Sequence, residues 1–149
     1  MNIQTVDIRL IRFFREISFP VARVSLFIVF FWFGLLKILG LSPAGELVQA
    51  LYEETISFVP FATFYVLFGL LEMAIGVLFL FPRAVRVVIP LLLAHMLTTF
   101  LPLFFLPEIA WQRWFVPTLE GQYIIKNLVI IATTLFIAAH AHPLPPKIT

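Results

Sequence analysis

The chain has no cysteine among its 149 residues. That removes disulfides, thiol redox chemistry and thiolate metal sites together. Charge is nearly as scarce, at 12% of residues, where a soluble domain carries about a quarter. A water-soluble fold would therefore lack the polar surface to cover itself. The net charge of +2 provides no basic face of the kind nucleic acid requires, so a nucleic-acid partner is not expected. Low-complexity tracts and usable internal repeats are also missing.

What fills the space is apolar. Hydrophobic residues make up 62% of the chain and aromatics 16%, and the mean hydropathy is +1.06. The length suits one domain. Crossing a hydrocarbon layer of ~30 Å takes roughly 20 apolar residues in a helix, and four stretches meet that length, at about 21–41, 61–81, 84–106 and 123–141. Their hydrophobicity is continuous rather than alternating, which favours helices over the strands of a barrel. The first run begins some twenty residues in and lacks a small-residue cleavage site, so it reads as a span rather than a signal peptide. The expected fold is all-α: a membrane-embedded four-helix bundle with a short amphipathic, interfacial helix at its N-terminal end.

That interfacial helix is expected over Val6 to Ile17. Val6, Leu10, Phe13, Phe14 and Ile17 fall on one side, and Asp7, Arg9, Arg12, Arg15 and Glu16 supply the other. Pro20 is expected to separate it from the first span, because proline disfavours helical geometry in the residue before it. Basic residues set the orientation. Arg9, Arg12, Arg15 and Arg23 precede or open the first span, Arg83 and Arg86 occupy the second connection, and Lys147 lies near the C-terminal end. The first connection instead holds Glu46, Glu53 and Glu54, and the third has Arg113 beside Glu108 and Glu120. Both termini and the second connection are thus expected in the cytoplasm. Ser42-Pro43 reads as the cap and first turn of a surface helix, and Trp111 and Trp114 suit the membrane–water boundary.

Ionisable groups inside a span cost several kcal/mol unless paired or hydrated, which makes them functional-site candidates. Lys37, Glu72, His95 and Lys126 qualify, one per span. At about 1.5 Å per residue, Glu72 and His95 fall near the midplane and both lysines in the outer half, flanked by Glu120 and Asn127. The six residues are expected to line a polar pocket toward the outer face, with Glu72 facing one lysine and Glu120 serving the other. Two lysines and a histidine against one buried acid favour an anionic or carbonyl-bearing ligand. A purely structural reading competes: polar groups that hold the helices in register. His95 is read as bonding Thr98 or Thr99, as a proton carrier, or, last, as a metal or haem ligand. No midplane partner histidine exists, and His140-Ala141-His142 is a weak metal signal at the inner boundary. No metal site and no catalytic residue are assigned. Arg23 is expected to reach lipid headgroups. Gly34, Gly69 and Gly76 are expected at helix contacts, the last two sharing a face with Glu72.

These same positions carry a family resemblance. Phe31-Trp32-Phe33-Gly34-Leu35-Leu36-Lys37 resembles the "GxxK" signature that ends the first helix of DoxX-like membrane proteins. Gly69-Leu70-Leu71-Glu72-Met73-Ala74-Ile75-Gly76 is similar to the glutamate-and-glycine pattern of their second helix. Thr98-Thr99 falls where their third helix often has threonines. Gly121-Gln122-Tyr123-Ile124-Ile125-Lys126-Asn127 looks like the "GRFLxKD" opening of their fourth, with Gln122 in place of the arginine and Asn127 in place of the acid. The resemblance runs from Arg23 to Ala141 and implies a four-helix bundle in the bacterial cytoplasmic membrane. Members include subunits of quinone-linked sulfur-oxidising enzymes, parts of oxidative-stress membrane complexes and proteins without known activity. It implies a quinone as ligand and a redox partner subunit, since this sequence has neither cysteine nor a flavin motif with which to move electrons alone. The alternatives are binding or transport of a small anion or lipid headgroup, which with four helices calls for a homo-oligomer, and a structural subunit.

Overall fold

A computed structural model describes residues 3–56 and 58–141. It is built almost wholly of helix. In chain order the elements are α1 (Ile3–Ile38), α2 (Gly45–Thr55), α3 (Phe61–Phe79), a 3₁₀ turn (Pro82–Ala84), α4 (Val85–Phe100), α5 (Pro102–Phe105) and α6 (Pro107–Ala110). A small hairpin, β1 (Trp111–Arg113) and β2 (Val116–Pro117), leads into α7 (Leu119–Ala139). Four helical stretches are long and apolar enough to cross a membrane: Ile3–Ile38, Phe61–Phe79, Pro82–Phe105 and Leu119–Ala139. His142 and the proline-rich end with Lys147 lie outside the described residues.

The elements depart from the sequence reading in four places. The expected N-terminal helix is not a separate element; α1 runs through Pro20 without interruption. Proline removes one backbone donor and crowds the carbonyl four residues earlier, here that of Glu16, but the flanking turns keep the helix in line. Ser42 does not cap α2. Its hydroxyl accepts from Ala44 N at 3.3 Å, a local turn that competes with helix entry, and α2 begins at Gly45. The fourth span starts at Leu119 instead of residue 123, because Thr118 caps it: the Thr118 Oγ1 accepts from Gly121 N at 3.1 Å and donates to Ile109 O at 2.6 Å. The hairpin before it is a strand element the all-α reading did not include.

Close packing of α1 against α3 organises the fold. The two run antiparallel, Gly34 lying against Gly69 at one level and Gly76 against Phe27 and Phe31 further along. A Cβ on Gly69 would sit 2.8 Å from Gly34 O and 3.1 Å from the Lys37 Cβ. Backbone meets backbone here, as small residues permit. Below that contact Leu26, Phe30, Ile75, Phe79, Val88, Leu92, Met96 and Ile137 form the buried core. Arg23 does not reach headgroups as expected. It is buried, and its Nε donates to Phe79 O at 2.6 Å, placing a cation on the carbonyl-rich end of α3 where the helix dipole favours it.

Above the contact, α1 stops sharply. Gly40 takes φ +68°, Gly40 N donates to Lys37 O at 3.1 Å and Leu41 N to Leu36 O at 2.8 Å, the Schellman pattern of a helix end. Lys37 is thereby fixed in the final turn. The two glycines make different demands, and substitution should separate them. Gly40→Ala meets no neighbour within 4 Å and should cost about 1–2 kcal/mol for the left-handed backbone alone. Gly69→Val must push α1 and α3 apart and should lower the thermal midpoint in detergent far more.

Candidate functional site

Three buried polar side chains converge, Lys37 from α1, Glu72 from α3 and His95 from α4, each no more than 6% exposed. Lys37 Nζ lies 2.6 Å from Glu72 Oε2, and His95 Nε2 lies 3.4 Å from Glu72 Oε1. Glu72 is the hub, each carboxylate oxygen facing one nitrogen. Phe68 and Phe30 enclose the group. The Lys37 ammonium is 5.5 Å from the Phe68 ring centre, and the His95 ring lies 5.0 Å from Phe68 and 5.7 Å, edge-on, from Phe30. Such a water-poor setting strengthens every charge interaction in it.

The group forms one end of a cavity of about 820 Å³. Its walls come from the C-terminal ends of α1 and α4 and the N-terminal halves of α3 and α7, and α2 lies across it with Leu47, Val48, Leu51 and Tyr52 turned inward. Most of the lining is apolar; its polar members include Lys37, Glu72, His95, Thr98, Thr99, Asn127 and Glu120, with Ser42, Tyr52, Thr55 and Tyr123. This combination, a large apolar cavity with a few convergent polar groups, is the usual form of a small-molecule site.

Of the six residues singled out in the sequence, Lys37, Glu72 and His95 touch. Asn127 lies close by, its Nδ2 donating to Thr99 Oγ1 at 3.2 Å. Glu120 is exposed at the cavity mouth. Lys126 is not part of the cluster: it is exposed, with its ammonium 4.6 Å from the Tyr123 ring centre. Adjacent helical residues point about 100° apart, so Asn127 facing inward turns Lys126 outward. The surplus of positive charge expected from two lysines therefore collapses to one lysine already paired with an acid. The threonines next to His95 are engaged elsewhere too, Thr98 Oγ1 donating to His95 O at 2.7 Å and Thr99 Oγ1 to Met96 O at 2.8 Å. His140 is exposed, its Nδ1 2.8 Å from Phe136 O, and among the described residues no cluster of three or more His, Asp and Glu side chains could hold a metal ion.

Sequence reasoning missed the walls. Tyr52 is buried against Phe61 and Phe64, and a tyrosine on a helix otherwise edged by glutamates was the available signal. Phe30, Phe68 and Tyr123 passed unnoticed among 18 phenylalanines and 3 tyrosines.

No family model matches the chain, and it matches no curated protein and no solved structure.

Breaking a buried pair by removing one partner leaves an uncompensated charge and costs about 3–5 kcal/mol, whereas replacing both partners is often neutral. Lys37→Met alone should therefore destabilise the protein by about that amount. Lys37→Met combined with Glu72→Gln should recover most of the loss, as read by thermal or steric-trap unfolding in bicelles.

Proposed function

We propose that this chain is a multi-pass membrane protein that binds a quinone, or a similar lipid-soluble molecule with a carbonyl-bearing ring, in the cavity ending at Lys37, Glu72 and His95. On this reading it works as a DoxX-like component of a redox assembly whose partner subunit supplies the electrons. The observation that carries the reading is the cavity itself: an apolar volume of about 820 Å³ with its donors gathered at one end. A ring carbonyl at that end meets an ammonium donor in Lys37 and an imidazole in His95, while aromatic side chains such as Phe33, Phe64 and Phe68 suit a flat ring and an apolar tail. Glu72 and His95 are also groups through which a proton reaches or leaves a bound oxygen.

The competing anion-binding reading is weaker. It drew on free cation, and Lys37 shares its charge with Glu72 at 2.6 Å while Lys126 lies outside. A purely structural subunit has no use for a cavity of this size.

The same proposal includes the setting. The arginines near the N-terminal end and in the second connection favour a bacterial cytoplasmic membrane with both termini inside. Residues 6–17 keep Val6, Leu10, Phe13, Phe14 and Ile17 on one face of α1 and Arg9, Arg12 and Arg15 on the other, a pattern that suits the anionic inner surface.

Native mass spectrometry after gentle extraction should find the protein carrying a quinone. The Lys37→Met/Glu72→Gln double variant should fold and lose it. A folded wild-type protein with bulk lipid alone would sink the quinone reading. Orientation has its own check, helped by the cysteine-free background: Glu54→Cys should react with an impermeant maleimide on intact spheroplasts, and Arg83→Cys only after lysis.

A further inference from the structure

Glu72 and His95 border a second, smaller cavity of about 130 Å³. It lies between α1, α4 and α7, one to two turns further into the bundle than Lys37, and its apolar lining includes Val29, Phe30, Met96 and Ile130. Its polar lining comes from Glu72, His95, Thr99 and Asn127. Size alone does not decide what fills such a space. An apolar cavity of about 150 Å³ stays dry, whereas a water needs two to four polar partners and roughly 30 Å³. Here four polar side chains border room for about four waters.

His95 supplies the second observation. The residue is 5% exposed, its Nε2 faces Glu72, and its Nδ1 is buried without a hydrogen-bond partner among the described residues. A buried polar atom left unsatisfied costs about 1–3 kcal/mol, and native proteins commonly meet that need with ordered water. The hydrogen bond from Asn127 Nδ2 to Thr99 Oγ1 holds these two side chains in place, so the amide and hydroxyl are already oriented when water arrives.

We propose that this smaller cavity is an internal water site, holding a short cluster of ordered waters bonded to His95 Nδ1, Glu72, Thr99 and Asn127. Glu72 and His95, with Phe33, Thr99 and Asn127, border both cavities, so a ligand in the larger, mostly apolar one and water in the smaller one meet the same polar groups. The Glu72–His95 pair exchanges protons with that water cluster. The site belongs to the protein whether or not a quinone is the ligand, so it stands or falls separately from the functional reading.

X-ray hydroxyl-radical labelling of the protein in nanodiscs, read by mass spectrometry, tests it, because radicals formed on ordered waters mark the side chains beside them. Met96 borders the site and is 3% exposed. Met73 is more exposed, borders neither cavity and packs against Gly34, which makes it the internal control. Met96 should oxidise several-fold faster than Met73, against the order of their exposure. Thr99→Val combined with Asn127→Leu should abolish that excess while leaving Met73 and the thermal midpoint unchanged or the midpoint raised. If Met96 labels no faster than Met73, the cavity is dry or lipid-filled and the proposal is overturned. An excess that survives the double substitution overturns the assignment of Thr99 and Asn127. If the double variant unfolds, Asn127→Asp and Thr99→Ser, which keep the polar lining, should preserve the excess, and its loss in both would also count against the site.

Discussion

One buried carboxylate governs the half of this protein that holds the large cavity. Placing Glu72 inside an apolar bundle costs several kcal/mol unless opposite charge and hydrogen bonds meet it, and the chain brings Lys37 and His95 to its two oxygens from different helices. The contact is possible only because Gly34 and Gly69 let α1 and α3 touch backbone to backbone, one turn from the pair. Packing and electrostatics are therefore a single problem here. A bulkier residue at either glycine would separate the helices and leave the acid and the base stranded, each in hydrocarbon.

Stability does not require the arrangement. A well-packed apolar trio of similar volume would usually serve as well or better. The polar group borders a large cavity and a small one, and both features reduce packing further. The fold is dense toward Arg23, where Ile75, Phe79, Val88, Leu92 and Ile137 are fully enclosed, and open toward Lys37. A gradient of that kind gives a rigid base on which a binding site can be held.

Much of this was legible in the sequence because the bilayer imposes simple rules. Continuous apolar runs gave the spans, and counting rise per residue put Glu72 and His95 at one depth, with Lys37 and Lys126 to one side of it. Depth is not direction, however. Lys126 and Asn127 sit at nearly the same level, and only the rotation of α7 decides which faces inward. Glu120, Ile124, Asn127 and Thr134 follow the i, i+3, i+4, i+7 rhythm of one helix face, so the phase was present in the residues and Lys126 was out of it. Pro20 misled in the other direction, because a breaking residue is weaker than the turns on both sides of it. The covering role of α2 had no local signature; it depends on where the turn at Gly40 sends the chain.

The length of α1 has a mechanical consequence. At ~1.5 Å per residue its 36 residues measure about 54 Å; Arg23 bonds the end of α3 and Phe19 still packs on the core and on His140, so the mostly exposed residues 3–16 form an overhang. The segment bearing Arg9, Arg12 and Arg15 and the turn bearing Lys37 are thus parts of one rod, joined by unbroken helical hydrogen bonding except at the single link Pro20 cannot make. Torque applied to the overhang is passed along that rod toward the lysine, and the proline is its most compliant joint, the place that decides how much twist arrives.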